Sequence, residues 1–463
     1  MICGNKWSYE RYRQPTDLKK ELYICRVAPL GRAICLDFIG DGSVEYHIFY
    51  KRMYSDAEAW NTKIVRSTSV VLSELEECVD YAFYVSSEFG KSEVGYAKTG
   101  YVPGTVVNYL HSEDHKYAFS GQFLCTPSLL KHPDGYLLAS MDVFGHRTPQ
   151  NLTLIFRSDD DGETWYHYAE LFPCFWVKLF IHRGEVYMLS TSTEYGDLLI
   201  GKSSDGGRTW LEPTVLLRGS GNTSVSGWHK SAMPIIEHCG RFWTGIDYGC
   251  WVGGGHANSL LSVSVDSDLL KAENWHLTEP LVYDTSWNGS VLGDTRGFLE
   301  GNALVLPNGK IANILRYATD KGTPNYGLIP ILEGNTEKPD QKLSFGKYVP
   351  FPGNLSKFDI LLDEISGYYY SIVCRIHDSE HPVARNLLSL LRSPDLEHWE
   401  IVKDLIDYSH EDYKTTGFQY VSFLFDGDDI LYLSRTAFNG AKSYHDNNYI
   451  TFHRITDFRN ITL

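Results

Sequence analysis

A nine-residue stretch occurs twice in this chain, as Arg157-Ser158-Asp159-Asp160-Asp161-Gly162-Glu163-Thr164-Trp165 and as Lys202-Ser203-Ser204-Asp205-Gly206-Gly207-Arg208-Thr209-Trp210. The copies share Ser-x-Asp-x-Gly-x-Thr-Trp, and each residue has a reason to be there. The Ser hydroxyl and Asp carboxylate bond the backbone amides of a tight turn. The Gly supplies positive φ, and the Trp covers the apolar seam beside the turn. Each copy follows an alternating apolar run (Leu152, Leu154, Phe156; Leu198, Ile200), so the turn is expected to close a β-hairpin. A calcium loop does not fit: with Gly162 at the EF-hand glycine, the end-ligand positions fall on Arg157 and Tyr168. Weaker copies lie at Ser264-Val265-Asp266…Trp275 and Ser393-Pro394-Asp395…Trp399.

From about Gln122 a larger unit recurs six times, an apolar run ending at a glycine turn with a second run at once behind it. The turn glycines are Gly135, Gly184, Gly240, Gly309, Gly367 and Gly427. Their intervals run from 49 residues (Gly135 to Gly184) to 69 (Gly240 to Gly309), near the period of a four-stranded propeller blade. No helical periodicity competes. The expected fold is all-β, a six-bladed β-propeller, with a seven-bladed ring (using 106–119) and a β-helix as alternatives.

Stacking the second runs in register (136–144, 185–193, 241–249, 310–318, 369–377, 429–437) puts Asp142, Thr191, Asp247, Arg316, Arg375 and Arg435 at one level. Polar residues at one level of six apolar strands point to the mouth of a central channel, where buried charge is costly unless paired or used. The first runs add a second layer with Lys178, His229, Lys230, Glu300, Lys357 and Tyr420. In an antiparallel hairpin Glu300 and Arg316 meet as carboxylate and guanidinium. A plain ion pair is the competing reading.

Before the repeats, residues 22–99 read as short strands. Ala33–Phe38 and Val44–Tyr50 flank a Gly40-Asp41-Gly42 turn. With Leu72 and Leu75 as core residues and Tyr81 as a tyrosine corner, this region resembles a fibronectin type III domain. That sets the expected division at residues 1–104 for a small β-sandwich with its linker and 105–463 for the propeller. In a chain of 463 residues the net charge of -16 argues against nucleic acid or an anionic membrane as partner. No run is long and apolar enough to span a bilayer, and the first residues lack the apolar core of a signal peptide. Nine scattered cysteines without a Cys-x-x-Cys pair fit reduced thiols, so a cytoplasmic protein is expected.

The Ser-x-Asp-x-Gly-x-Thr-Trp copies resemble the Asp-box repeat of the sialidase superfamily, β-propellers in which the box sits at the blade periphery. The resemblance extends to single residues. Glu300, in Gly297-Phe298-Leu299-Glu300-Gly301-Asn302, resembles the glutamate that activates the family's tyrosine nucleophile, and Tyr420 resembles that tyrosine. Arg316 and Arg385 resemble the second and third arginines of the carboxylate-binding triad. A tyrosine is a poor nucleophile at its free pKa and needs an adjacent base, and arginine grips a carboxylate with two parallel bonds. Two family positions differ. Cys125-Thr126-Pro127 stands where the first triad arginine would be, and Gly145–Asn151 holds no acid where the aspartate acid/base would be. Asp142, Asp247 and His229 are the candidates to replace that acid/base. Arg375 and Arg435, with Lys178, Lys230 and Lys357, are candidates for further substrate contacts.

The resulting expectation is an exo-acting glycoside hydrolase, sialidase-like, working on a glycan with an acidic sugar. Alternatives are a lyase on uronates, with Tyr420 or His229 as base, and a non-catalytic glycan-binding propeller. No zinc, nucleotide or nucleophile-elbow motif is present, so neither metal nor cofactor is expected.

Overall fold

The computed structural model describes residues 2–9, 22–55, 59–114, 121–146, 148–252, 255–290, 297–318 and 327–461. Beyond residue 104 these form six antiparallel sheets in succession. The first is Phe123–Lys131, Leu137–Phe144, Thr153–Ser158 and Tyr166–Leu171, and the second, fourth and fifth repeat that plain up-and-down order. The third splits its innermost strand into Gly227–His229 and Ile236–His238. The sixth, Gly417–Asp426, Asp429–Ala437 and Tyr449–Ile455, takes its outer strand, Thr105–Tyr109, from the other end of the repeat region. That strand is what a seventh unit would have used; the end of its run, 115–119, lies outside the described residues.

The apolar runs are near-continuous because these strands are buried on both faces. Leu137 packs towards the sixth sheet with Leu431 and Ile450, while its neighbour Leu138 packs towards the second with Val186 and Leu199. Equivalent apolar layers join sheets two and three, three and four, four and five, and five and six. The innermost strand Phe123–Lys131 touches both Phe175–His182 and Gly417–Asp426, which closes the ring. All six turn glycines have positive φ, between 62° and 97°.

The two full Ser-x-Asp copies join the third and fourth strands of sheets one and two. Asp160 Oδ1 accepts from the Thr164 amide at 2.9 Å, Ser158 Oγ from the Gly162 amide at 2.9 Å, and Trp165 Nε1 donates to the Gly162 carbonyl at 3.1 Å. Asp205, Ser203 and Trp210 repeat the pattern. Trp165 lies against Phe452, so the turn closes the seam with the sixth sheet. The register pairs Leu137 with Ser158 and Asp142 with Thr153, so these turns and Asp142 sit at opposite ends of the strands.

Before residue 104, Tyr23–Leu30, Ala33–Ile39 and Ser69–Leu72 form one sheet, and Asn61–Val65, Tyr46–Arg52, Asp80–Ser87, Gly90–Lys91 and Gly95–Lys98 another. The Gly40–Gly42 turn does not make a hairpin. The chain crosses there from one sheet to the other, because Phe38 and Tyr46 pack face to edge in the layer between the sheets. Leu72, Leu75 and Tyr81 are buried in that layer, and the Tyr81 hydroxyl accepts from the Glu76 amide at 3.0 Å. Arg26 anchors this unit by donating to the Val106 and Val107 carbonyls. Residues 2–9 lie elsewhere, along the edge of the second sheet, where the Cys3 amide donates to Leu216 and the Val215 amide to Asn5.

Candidate active site

Four innermost strands carry a β-bulge at the same level, and the residue at each bulge takes a left-handed backbone. These residues are Thr126 (φ 44°), Trp176 (56°), Glu300 (59°) and Tyr420 (53°). Left-handed φ is costly for residues with a Cβ and persists only where the surroundings enforce it. Here it turns four side chains out of the strand pleat into one cavity of ≈ 840 Å³ at the strand ends away from the tryptophan turns.

Behind the cavity-lining Glu300 and Tyr420, Arg316 Nη1 donates to Glu300 Oε2 at 2.9 Å and to the Tyr420 hydroxyl at 3.1 Å. The Glu300–Arg316 ion pair read from the hairpin is therefore present, with Tyr420 as its third member. Two further guanidinium groups face the Tyr420 ring, Arg435 at 5.0 Å and Arg385 at 5.9 Å from its centre. Gln419 accepts from Arg385, and Asn447 and the His445 carbonyl accept from Arg435, which holds both arginines in place. Burial raises the Tyr420 phenol above its ordinary value and Glu300 adds to this, against the pull of the three arginines. The phenol is thus protonated at neutral pH. Burial works against the charge of Arg316, but Tyr420 and Glu300 more than offset it. Burial lowers Arg385.

His229 lines the cavity, wedged against Trp176 at 4.3 Å, with its Nδ1 3.1 Å from Asp247 Oδ2. Asp247 and Asp142 lie beneath the cavity, where they hold backbone in place. Asp247 accepts from the Glu300 amide at 2.9 Å and from Asn258 at 2.8 Å. Asp142 accepts from Thr153 at 2.6 Å and faces the amides of Trp176 and Val177. Each carboxyl thus supports the left-handed bulge of the following sheet, so neither is the cavity carboxylate expected from the register. Burial pushes the Asp142 carboxyl well above the usual range, with Thr153 and the two amides opposing.

Arg375 is likewise placed differently. It turns outward along its own sheet to Ser389 (3.1 Å) and Asp404 (2.8 Å), because a carboxylate on the outermost strand is in reach. Lys178, Lys230 and Lys357 are not cavity contacts either: Lys178 follows the Trp176 bulge, which turns Trp176 into the opening, and Lys230 and Lys357 are buried away from the cavity wall. Lys357 Nζ pairs with Asp359 at 2.6 Å and donates to the Val421 carbonyl. Lys230 donates to the Ser231 carbonyl at 2.9 Å. Burial pushes Lys178 down to about 8 and Lys230 down to about 7.

One acid in the cavity wall has no counterpart in the register. Glu194 follows the second strand of sheet two and accepts from Trp251 Nε1 at 3.1 Å and from Gln150 Nε2. Gln150 belongs to the acid-free Gly145–Asn151 loop, so a carboxylate from the next sheet stands beside that loop. The polar run Ser190-Thr191-Ser192-Thr193-Glu194, continuing past the register position, was the available signal. Arg435 in turn shares the cavity wall with Cys125 and Thr126, and its guanidinium lies over Phe144 at 5.5 Å.

No protein-family model matches the sequence, and no curated protein matches it. Solved structures are similar in fold. The alpha-L-arabinanase of Penicillium chrysogenum, complexed with arabinobiose, superposes with a TM-score of 0.51 at 14% identity over 78% of this chain and 99% of its own. A Hadza microbial sialidase gives 0.52 at 12% identity over 98% and 100%. The alpha-L-arabinofuranosidase Arb93A of Fusarium graminearum gives 0.51 at 12% over 78% and 99%. The ring of sheets in this chain shares the β-propeller fold of these three structures.

Proposed function

We propose that the protein is an exo-acting glycoside hydrolase, a six-bladed sialidase-like propeller from residue 105 onward that removes an acidic sugar from a glycan. Residues 22–104 serve as a fibronectin type III-like module docked on the sixth blade. Nine cysteines, none of them in a disulfide, suit a reducing compartment such as the cytoplasm. The observation that carries the reading is the shared contact of Arg316 with Glu300 and Tyr420, with Arg385 and Arg435 facing the same ring.

The chemistry follows from that arrangement. A protonated phenol attacks an anomeric carbon only as its proton leaves, and Glu300 is the base beside it. Glu194 protonates the departing glycosidic oxygen, which leaves the sugar bound to Tyr420. It then takes a proton from water as water displaces the tyrosine, and Glu300 returns the phenol proton. Arg316, Arg385 and Arg435 grip the carboxylate of the sugar. In this reading Arg435 supplies the guanidinium missing from Cys125-Thr126-Pro127, and Glu194 the carboxyl missing from Gly145–Asn151. Each comes from an adjacent blade.

The test is incubation with a glycan panel, reading released reducing sugar and new ultraviolet absorbance together. Tyr420→Phe should lower turnover by about 10²-fold or more while ligand affinity stays within about twofold, since only the transition state uses the oxygen. An absorbing double bond formed equally well by Tyr420→Phe would put a lyase with His229 as base in its place. Binding with neither signal would make the protein a glycan-binding propeller.

A further inference from the structure

At the cavity mouth, beside the arginines, a second group of residues meets that the reading above does not use. His146 leaves the rim end of the first sheet, and His445 and Asp446 lie in the loop between the second and third strands of the sixth. His445 Nδ1 is 3.0 Å from Asp446 Oδ1, and His146 Nε2 is 3.7 Å from the same oxygen. One donor atom from each residue falls within 4.8 Å of the others. The imidazole rings lie nearly parallel, 6.2 Å apart, with Phe144 edge-on to both.

We propose that His146, His445 and Asp446 form a binding site for one divalent cation of the zinc class. Bonds of about 2.0–2.1 Å in a tetrahedral shell put neighbouring donors about 3.3–3.4 Å apart, and the two distances above bracket that spacing. Two imidazoles and a carboxylate select zinc, cobalt, nickel or copper over calcium and magnesium, which prefer all-oxygen shells. The loop is already set: Ser443 Oγ accepts from the amides of both His445 and Asp446, and Arg435 holds the His445 carbonyl. The fourth position opens to the cavity, because both histidines line it. One carboxylate only half-neutralises the cation, and the Arg435 guanidinium stands nearby, so the fourth ligand is an anion. Hydroxide, or a carboxylate or alkoxide oxygen of a bound ligand, satisfies that demand. No sequence motif announces such a site, since its donors come from separate blades.

The experiment uses the full chain, freed of metal by chelator, titrated with zinc chloride in a calorimeter and with magnesium chloride as comparison. One zinc ion per chain should bind saturably, and magnesium should give no saturable heat. His146→Ala, at an exposed residue, and Asp446→Asn should each weaken zinc binding by about tenfold or more. Cobalt(II) should give the visible absorption of a four-coordinate ion in the wild type and lose it in His146→Ala. Absence of saturable zinc uptake, or uptake unchanged in both variants, would overturn the proposal. No step requires turnover, so failure here leaves the glycosidase reading standing, and loss of that reading leaves the cation site standing.

Discussion

Glu194 is a half-buried carboxyl and Asp142 a fully buried one, and their surroundings assign them opposite work. Glu194 sits in the cavity wall between Trp251 and Gln150, within reach of a ligand. Glu194→Gln should lower kcat on a natural glycoside by about 10²–10⁴-fold. Aryl glycosides with good leaving groups, which need no protonation, should lose far less, and comparison of the two substrates reads the difference. Asp142 is sealed under the bulge of Trp176, and burial raises its carboxyl above the unfolded value. A raised carboxyl pKa means the folded state binds more protons than the unfolded one. Its stability contribution is therefore present below about pH 4 and is lost as pH rises towards the folded value. Asp142→Asn removes that term, so the variant should gain on the wild type between pH 4.5 and 7.5 in denaturant titrations. The difference between the two acids was hidden in the sequence. Asp142 occupies the expected register position but faces the bulge amides of the next sheet, whereas Glu194 lies past it, in the loop after the second strand, and opens on the cavity.

The turn and the bulge are the elements that build the site, and they place different demands on their residues. A Cβ at Gly162 would meet the Phe452 ring at 2.1 Å, whereas at Gly184, also at positive φ, nothing lies within 4 Å. Gly184→Ala should therefore cost only the backbone term, about 1–2 kcal/mol. Gly162→Ala should cost clearly more, because the seam between the first and sixth sheets must also open. Thermal unfolding of the two variants side by side checks the order. The left-handed bulge at Glu300 depends on Asp247, which accepts its amide. Asp247→Ala should then lower kcat while leaving the fold intact, since a displaced Glu300 loses the phenol proton; circular dichroism with kinetics separates the two. Turn glycines are legible because one residue type satisfies the backbone. The bulges are not, because Thr126, Trp176, Glu300 and Tyr420 have no side-chain property in common.

The whole molecule is a closed ring of apolar layers around a polar axis, and that axis stores charge. Lys178, Lys230 and Lys357 face inward about Asp359, and burial lowers the first two to about 8 and about 7. A lysine lowered in the folded state leaves the unfolded state with more bound protons. Stability from these two groups should rise with pH from about 7 towards the free lysine value of about 10.4, before tyrosine ionisation sets in. Lys230→Met should flatten that rise and stabilise the protein at pH 7, because an apolar side chain there has no charge to desolvate. Denaturant midpoints at pH 7 and 9 for the two proteins measure both effects.

The sequence by itself determined the repeating unit, the positions of its six turns, the tryptophan turns and the Glu300–Arg316 pair, which Tyr420 joined only through the family resemblance. Each of these rests on local chemistry, namely a glycine where φ must be positive, a hydroxyl and carboxylate that bond neighbouring amides, and a charge at the end of an apolar strand. Only the tertiary structure decided which polar residues enter the cavity. A strand's alternation places Asp142, Asp247, Arg375 and the three lysines on a face, but it does not name the partners that take them from the cavity, the amides of the next sheet for the two aspartates and Asp404 of its own outermost strand for Arg375. Closure of the ring does the rest. It brings Glu194 beside Gln150, Arg435 beside Thr126 and His146 beside His445, pairs joined by no spacing in the chain and brought together by packing of one sheet against the next.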